Sequence, residues 1–391
     1  MQQSSWKNGL LVAASLLGCQ AVAATGLIAS SVVVLLGQGP GLDAAGSASF
    51  LKGFQVGEAT VRDCGGEWPS IQWRGMSADV NPNRLLAADT RLSLVVAPPA
   101  ADLRAFSDLA ERRNLTVVLP YQRGESLTLL AALESRDRLW PLVAPFDDEL
   151  TAIAEATFKQ GWRRVMVVQD SSDLEAASPQ PFVEAFERLG GKVVSFEQES
   201  IQRVDPDNDL AVKRLQTDLA YAGASAMVLA ADPKGRLATT MAAGQLGGPG
   251  GAKRRPAWVW LVPEQQARTV KPKPWQQLII DKASHGSGWQ GFATMFEQRW
   301  GKAPDLVAAA GFDTARLVAL STIAPPPISS EGRLDSLGWL DPGAEVVPIC
   351  TAISLRKQGE SVRPEAAASD FALRSGQAPS GEAEVRLLSA S

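Results

Sequence analysis

The stretch Pro145 to Val168, PFDDELTAIAEATFKQGWRRVMVV, holds a whole helix, turn and strand unit, and its reading decides how the rest of the chain is read. Asp147 and Asp148 put negative charge where a helix begins, as the helix dipole prefers, and Gly161 closes that helix after Gln160. The apolar run Val165 to Val168 follows as a short buried strand. Parallel strands need a crossover helix between them, so alternation of such units predicts an α/β protein with parallel sheets.

The same rhythm extends in both directions. Downstream, Pro181 to Leu189 reads as a helix closed by Gly190 and Gly191, and Lys192 to Phe196 as a strand. Asp209 to Ala222, Ala226 to Ala230, Gly235 to Gly244 and Ala257 to Val262 repeat helix and strand, with Trp258 and Trp260 on one strand face. Upstream, Ser31 to Leu36, Ile71 to Arg74, Leu92 to Ala97 and Leu115 to Leu119 read as strands. A glycine-rich turn from Gly37 to Gly46 leads into a helix through Val56. A second helix, Ala100 to Arg113, places Leu103, Phe106, Leu109 and Ala110 on one face. Beyond Pro263 the pattern changes: Lys271 to Pro274 reads as a connector, and Gly288 to Trp300 and Pro304 to Leu320 as helices. Val346 to Leu355 reads as one or two short strands around a turn.

At 391 residues the chain exceeds the roughly 250 to 300 residues at which one hydrophobic core usually stops growing, so two lobes are expected. An apolar share of 45%, a charged share of 20% and a net charge of -4 are those of an ordinary folded domain. The 38 Lys and Arg are scattered among 42 Asp and Glu, which argues against a nucleic-acid partner. Lys253, Arg254 and Arg255 beside the glycine run Gly247 to Gly251 read as a solvated loop. Three cysteines and the single His285 do not assemble a zinc site of the usual type, and no cofactor is expected. His285, in Ser284 to Gly288, reads as a surface loop histidine, with no nucleophile elbow at a strand end to pair with it.

The first 25 residues have the form of an export signal, with Lys7 as the positive region and Leu10 to Leu17 as the apolar one. Leu16, Leu17, Gly18, Cys19 resembles the lipobox of bacterial lipoproteins, which would lipidate Cys19, whereas Ala21, Val22, Ala23 offers a small-x-small cleavage site. A third reading is an uncleaved anchor, since apolar residues continue with interruptions from Leu10 to Leu36. Cys64 and Cys350 remain in the body in every case, a number that permits one disulfide and is equally satisfied by two buried thiols.

Local sequence narrows the fold. Trp289 to Ala315 contains Phe292 and Phe296, then Trp300, Gly301, Lys302, Ala303, Pro304, then Ala308 to Gly311 with Phe312, Asp313 and Ala315. This resembles the leucine-binding-protein family of type I periplasmic binding proteins, whose pattern is an aromatic-rich helix, Tyr-Gly-x-x-Pro and Ala-x-x-Gly-Tyr-Asp-Ala. Trp300 and Phe312 replace the two tyrosines. Phe158 to Val168, Phe182 to Val194, and Pro263 with Glu264 agree in the same order, so the resemblance runs from about Ser31 to Pro364.

The resemblance implies two Rossmann-like lobes with parallel sheets joined by a multi-crossover hinge. It places 28–144 and 275–340 in lobe one and 145–274 and 341–365 in lobe two. The Ala, Ser, Glu and Gly rich residues 366–391 are expected to form a flexible tail. It also implies a small polar solute, an amino acid or related amide, captured between the lobes by hinge closure, a membrane permease of an ABC transporter as partner and a periplasmic location, with membrane attachment only through a Cys19 lipid. By family position the ligand residues are Ala100, Tyr121, Ser171, Asp232 and Glu264. Glu264, after Pro263, would meet a ligand ammonium. Pro98, Pro99 and Ala100 stand where the family has a hydroxyl for the ligand carboxylate, and Asp170 to Ser172 replace its Tyr-Gly pair. Asp232 either faces the cleft or caps the helix after Pro233.

A dinucleotide site is the rival enzymatic reading: Gly39 to Ala44 fits Gly-x-Gly-x-x-Gly/Ala, with Asp63 about 20 residues on. Pro40 stiffens that turn, and an export signal disfavours a cofactor made in the cytoplasm. A closer rival is a receptor, sensor or envelope-enzyme activator of the same fold.

Overall fold

The computed structural model describes residues 31–39, 42–99, 101–123, 125–172, 178–247, 255–324, 335–371, 375–381 and 383–390. Cys19, Ala100 and the turn residues Pro40 and Gly41 lie outside them. The first sheet contains β1 (Ser31–Gly37), β2 (Ile71–Met76), β3 (Leu92–Val96), β4 (Thr116–Leu119) and β5 (Leu139–Pro141), all parallel, in the order β2-β1-β3-β4-β5. The second contains β6 (Arg164–Asp170), β7 (Lys192–Val193), β8 (Ile201–Val204), β9 (Ala226–Ala230), β10 (Ala257–Trp260) and β11 (Gln277–Lys282). β6 pairs β7 and β8 on one side and β9 on the other, and β10 and β11 follow. Both sheets are therefore wound alike: the second strand lies on one side of the first and the later strands follow on the other, with β7 and β8 together taking the second position in the second sheet.

Period-two alternation buries both faces of each sheet, which is why the strands read as unbroken apolar runs. In the first sheet Val32, Val34 and Val96 face one core while Val33, Leu35 and Val95 face the other. The helices around it are α1 (Leu42–Asp63), α2 (Pro82–Leu85) and α3 (Leu103–Arg113). The second sheet packs on α4 (Phe146–Lys159) and α5 (Gln180–Arg188) with Val165, Val167 and Val228. Its other face, with Met166, Trp258 and Trp260, packs on α6 (Asp209–Tyr221) and α7 (Arg236–Gly247); the short α8 (Glu264–Ala267) follows β10.

The chain then returns to lobe one through α9 (Trp289–Trp300) and α10 (Leu306–Ile323). α10 is long and apolar enough to cross a membrane, yet it is mostly buried against α1 in the core. The approach is close because glycines face it: a Cβ on Gly53 would lie 1.7 Å from the Ala308 carbonyl oxygen, and one on Gly311 would lie 2.1 Å from that of Phe50.

Several expectations are corrected here. β11 joins the second sheet, so 277–282 belongs to lobe two; its apolar core, Leu278 to Ile280, is short and follows a Pro and Lys rich stretch. Residues 341–365 pack in lobe one. After the two-residue β12 (Val346–Val347), the segment expected to form strands is the helix α11 (Ile349–Lys357). Its Ile349, Ala352 and Ile353 bury against the first core, and β13 (Arg363–Pro364) pairs β12. The expected flexible tail contains β14 (Glu384–Leu388), antiparallel to β11, with Val385 and Leu387 on one face packed against the second core. Ser31 to Leu36 lies in β1, with Val32 to Leu35 buried between its neighbours β2 and β3, so these residues belong to the first sheet; the export-signal, lipobox and anchor readings of 1–30 fall outside the described residues. Lys192 to Phe196 contributes only the two residues of β7.

Cys64, after α1, and Cys350, in the first turn of α11, form a disulfide across a sequence separation of 286 residues with Cα atoms 5.0 Å apart. The bond fastens the returning segment to the start of lobe one.

Candidate functional site

In doubly wound sheets a ligand crevice opens beyond the strand carboxyl ends, at the point where the winding reverses. In lobe one that point lies between β1 and β3, and in lobe two between β6 and β9. Ser171 follows β6 and Asp232 follows β9, so two of the expected ligand residues stand at the lobe-two switch point. Both are exposed. The Ser171 amide donates to the Val204 carbonyl at 3.0 Å, leaving its hydroxyl at the rim. The Asp232 carboxylate accepts from the Lys234 amide at 2.9 Å, the turn-capping role. Asp170 is buried and accepts from the Ser172 amide at 2.9 Å and hydroxyl at 2.6 Å, so it shapes the turn from within.

Three crossovers join the lobes: from β5 into α4, from β11 into α9, and from the segment around Ala366 to Phe371 into β14. They converge at Gly381, where a Cβ would lie 1.6 Å from the Ser284 hydroxyl oxygen and 3.2 Å from the Ala144 Cβ. Only a residue without a side chain fits there. Gly286 and Gly288 donate to the Ala367 and Ala366 carbonyls at 2.9 and 2.8 Å, joining the second crossover to the third.

Beside this junction lies a buried polar cluster. Arg123, four residues beyond β4, donates from Nε to the Ala144 carbonyl at 2.9 Å and from Nη2 to the Glu149 carboxylate. It also lies over the Phe146 ring, 5.5 Å from its centroid, with the half-buried Tyr121 side chain beside it. Burial acts to lower the Arg123 pKa, but Glu149 and Tyr121 beside it raise it overall, so the guanidinium stays charged. Burial pushes the Glu149 carboxyl above its ordinary range, and Arg123 pulls it back. One Glu149 oxygen, Oε2, is buried with no hydrogen-bond partner.

Glu264, the residue expected to meet a ligand ammonium, is 4% exposed and already occupied. Its Oε1 pairs with Arg268, its Oε2 accepts from the Ala283 amide at 3.0 Å, and His285 Nε2 lies 3.7 Å from the same oxygen. His285 is not a surface residue: its side chain is 11% exposed and its ring lies 3.7 Å, centroid to centroid, from that of Trp289. Burial first, then repulsion from Arg123 and Arg268, lowers its pKa to about 4, so the imidazole is neutral at pH 7.

The structure thus brings Tyr121, Glu264 and His285 into the hinge neighbourhood with Arg123 and Glu149, and leaves Ser171 and Asp232 at the open rim of lobe two. Arg123 and Glu149 carried no signal as functional residues. The stretch from β4 to α4 carries several other charges, among them Glu125, Arg136, Asp137 and Asp148, so nothing in composition singled the two out.

No protein-family model matches the chain, and no curated protein matches it by sequence. Solved structures match in fold. A solute-binding protein of a Rhodopseudomonas palustris ABC transporter, in complex with benzoate, is 13% identical with a TM-score of 0.55, covering 92% of this chain and 93% of that one. The leucine-binding protein of Thermotoga maritima is 15% identical with a TM-score of 0.52, covering 83% and 87%. The branched-chain amino acid transporter substrate-binding protein of Streptococcus pneumoniae, in complex with isoleucine, is 15% identical with a TM-score of 0.52, covering 91% and 99%. The chain therefore has the two-lobed fold of type I periplasmic binding proteins.

Proposed function

We propose that the protein is an extracytoplasmic solute-binding protein that captures a small polar solute between its lobes and delivers it to the membrane permease of an ABC-type importer. The observation that carries this reading is the matching winding of two mainly parallel sheets about a three-crossover hinge, with each switch point at a strand carboxyl end. Free backbone groups and helix starts at such ends favour a polar or anionic group. Structures of the same fold hold isoleucine and benzoate.

The lining argues against an α-amino acid in the family's usual pose. Glu264 is committed to Arg268 and the Ala283 amide, and Pro98 and Pro99 offer no hydroxyl where a carboxylate would be gripped. Tyr121, Ser171 and Asp232 are the side chains we assign to solute contact, and Ala100 joins them by family position alone. Export and lipidation at Cys19 belong to the same proposal. Isothermal titration of the exported chain against leucine, isoleucine, benzoate, 4-hydroxybenzoate, ureas and amides tests it. Saturable heat with a non-amino-acid solute is expected, and no heat with any class refutes capture.

The commitment of Glu264 favours one second reading, an envelope sensor or enzyme activator built on this fold. Co-purification with an envelope enzyme, together with silence in the titration, would select it.

A further inference from the structure

The hinge is tied by two kinds of bond. Carboxylates hold crossover amides: Asp148 accepts from Gly381 at 3.0 Å, Glu264 from Ala283 at 3.0 Å, and Asp313 from Ala367 at 2.9 Å and Ala368 at 2.6 Å. Each of these bonds joins a crossover to a helix of one lobe, and none of them sets the angle between the lobes. The Arg123 to Glu149 pair is of another kind. Arg123 stands in the β4–β5 connection of the first sheet, and Glu149 stands in the first turn of α4, whose Phe146, Leu150 and Ile153 belong to the core of the second.

We infer that Arg123 is an inter-lobe pin: through Glu149 it holds the lobes at one angle, so the cleft has its shape before any solute enters. Three features of the geometry make the pair suitable. It is withdrawn from water, with 7% and 1% of the two side chains exposed, so neither solvent nor salt competes well for it. The guanidinium is fixed on its other sides by the Ala144 carbonyl, the Tyr121 side chain and the Phe146 ring, and the Phe146 amide donates to the Arg123 carbonyl at 3.3 Å. Finally, Glu149 lies close to the pivot but off it. Three residues separate it from the start of α4, about 4.5 Å along the axis. A lobe rotation of about 30° about the first crossover would displace its carboxylate by on the order of 3 Å, more than a hydrogen bond tolerates. Opening the hinge therefore breaks the pair and leaves two charges buried without partners, which strongly disfavours the open state.

This goes beyond the capture reading and does not depend on what the cleft takes. Its test uses spin labels at Arg104→Cys and Lys234→Cys, exposed positions in the first turns beyond β3 and β9 on opposite rims, in a chain carrying Cys19→Ser. Double electron–electron resonance on the solute-free protein should give one narrow distance distribution. Replacing both partners with apolar side chains, Arg123→Met with Glu149→Leu, removes the pin without stranding a charge, and should at least double the width of that distribution while the thermal transition persists. If the double variant does not fold, Glu149→Gln replaces it with the same expectation. A solute-free distribution already as broad as the variant's, or a folded variant as narrow as the parent, overturns the inference. Neither result bears on the titration, so failure of the pin and failure of solute capture are distinguishable.

Discussion

The disulfide between Cys64 and Cys350 gives the prediction with the most direct physical basis. Its two cysteines are 286 residues apart in sequence, and the loop they close runs through lobe two, all but β14, before returning to lobe one. Chain entropy for a closed loop of that length corresponds to about 5 to 6 kcal/mol at 25 °C, against the 2 to 4 kcal/mol usually realised, because the reduced chain retains structure. Both cysteines belong to lobe one, Cys64 just after α1 and Cys350 on α11, so a lobe of roughly 200 residues loses that stabilisation when the bond is cut. At about 2 to 4 °C per kcal/mol, a loss of about 3 kcal/mol lowers the melting temperature by roughly 6 to 12 °C. Differential scanning calorimetry with and without a phosphine reductant, and on the Cys64→Ser with Cys350→Ser chain, measures it. Where the lobes unfold separately, the shift belongs to the lobe-one transition. A transition unmoved by reduction, or two titratable thiols in the oxidised Cys19→Ser chain, would refute the reasoning.

Other outcomes follow from the same structure. Gly311→Ala places a Cβ 2.1 Å from the Phe50 carbonyl oxygen and forces α1 and α10 apart, so guanidinium denaturation should show a loss of at least about 3 kcal/mol, where an exposed helical Gly→Ala would stabilise. Asp313, fully buried, has its pKa pushed up to about 7 by burial, against the Ala367 and Ala368 amides. The folded state therefore keeps a proton that the unfolded chain releases near pH 4, and stability should fall as pH rises from about 4 to 7, by about 4 kcal/mol at most. Asp313→Asn should flatten that slope in urea titrations. His285, lowered to about 4, acts in the opposite sense: its contribution is complete above pH 6.5 and is lost as pH falls towards 4, and His285→Gln should remove it. Glu264→Ala strands the Ala283 amide and should cost about 1 to 3 kcal/mol in denaturant unfolding, whereas a residue serving only a solute would leave stability unchanged.

Much of the fold was legible because its strands are short, apolar and buried on both faces. Val165 to Val168, Leu92 to Ala97 and Ala226 to Ala230 announce themselves by composition alone. The segments that were misread lack that contrast. α11 reads as a strand because Val346 to Leu355 is rich in β-branched residues, and only packing against α1 and α10 makes it a helix. β14, within a Ser and Glu rich tail, is a strand because β11 presents an unpaired edge for it.

The site shows the same division. Local sequence was enough to place Ser171, Asp232 and Glu264 just beyond strand ends, because a strand and its following turn are contiguous in the chain. It could not show that Glu264 is committed to Arg268 and Ala283, that His285 is buried against Trp289, or that Arg123 reaches Glu149. Those partners are close in sequence, but they are buried together only because three crossovers from distant parts of the chain converge there, as where Gly381 meets Asp148 and Ser284. The amino-acid order determined two doubly wound sheets and the chemistry at their edges; which of those charges face a solute and which face one another was decided by the tertiary structure.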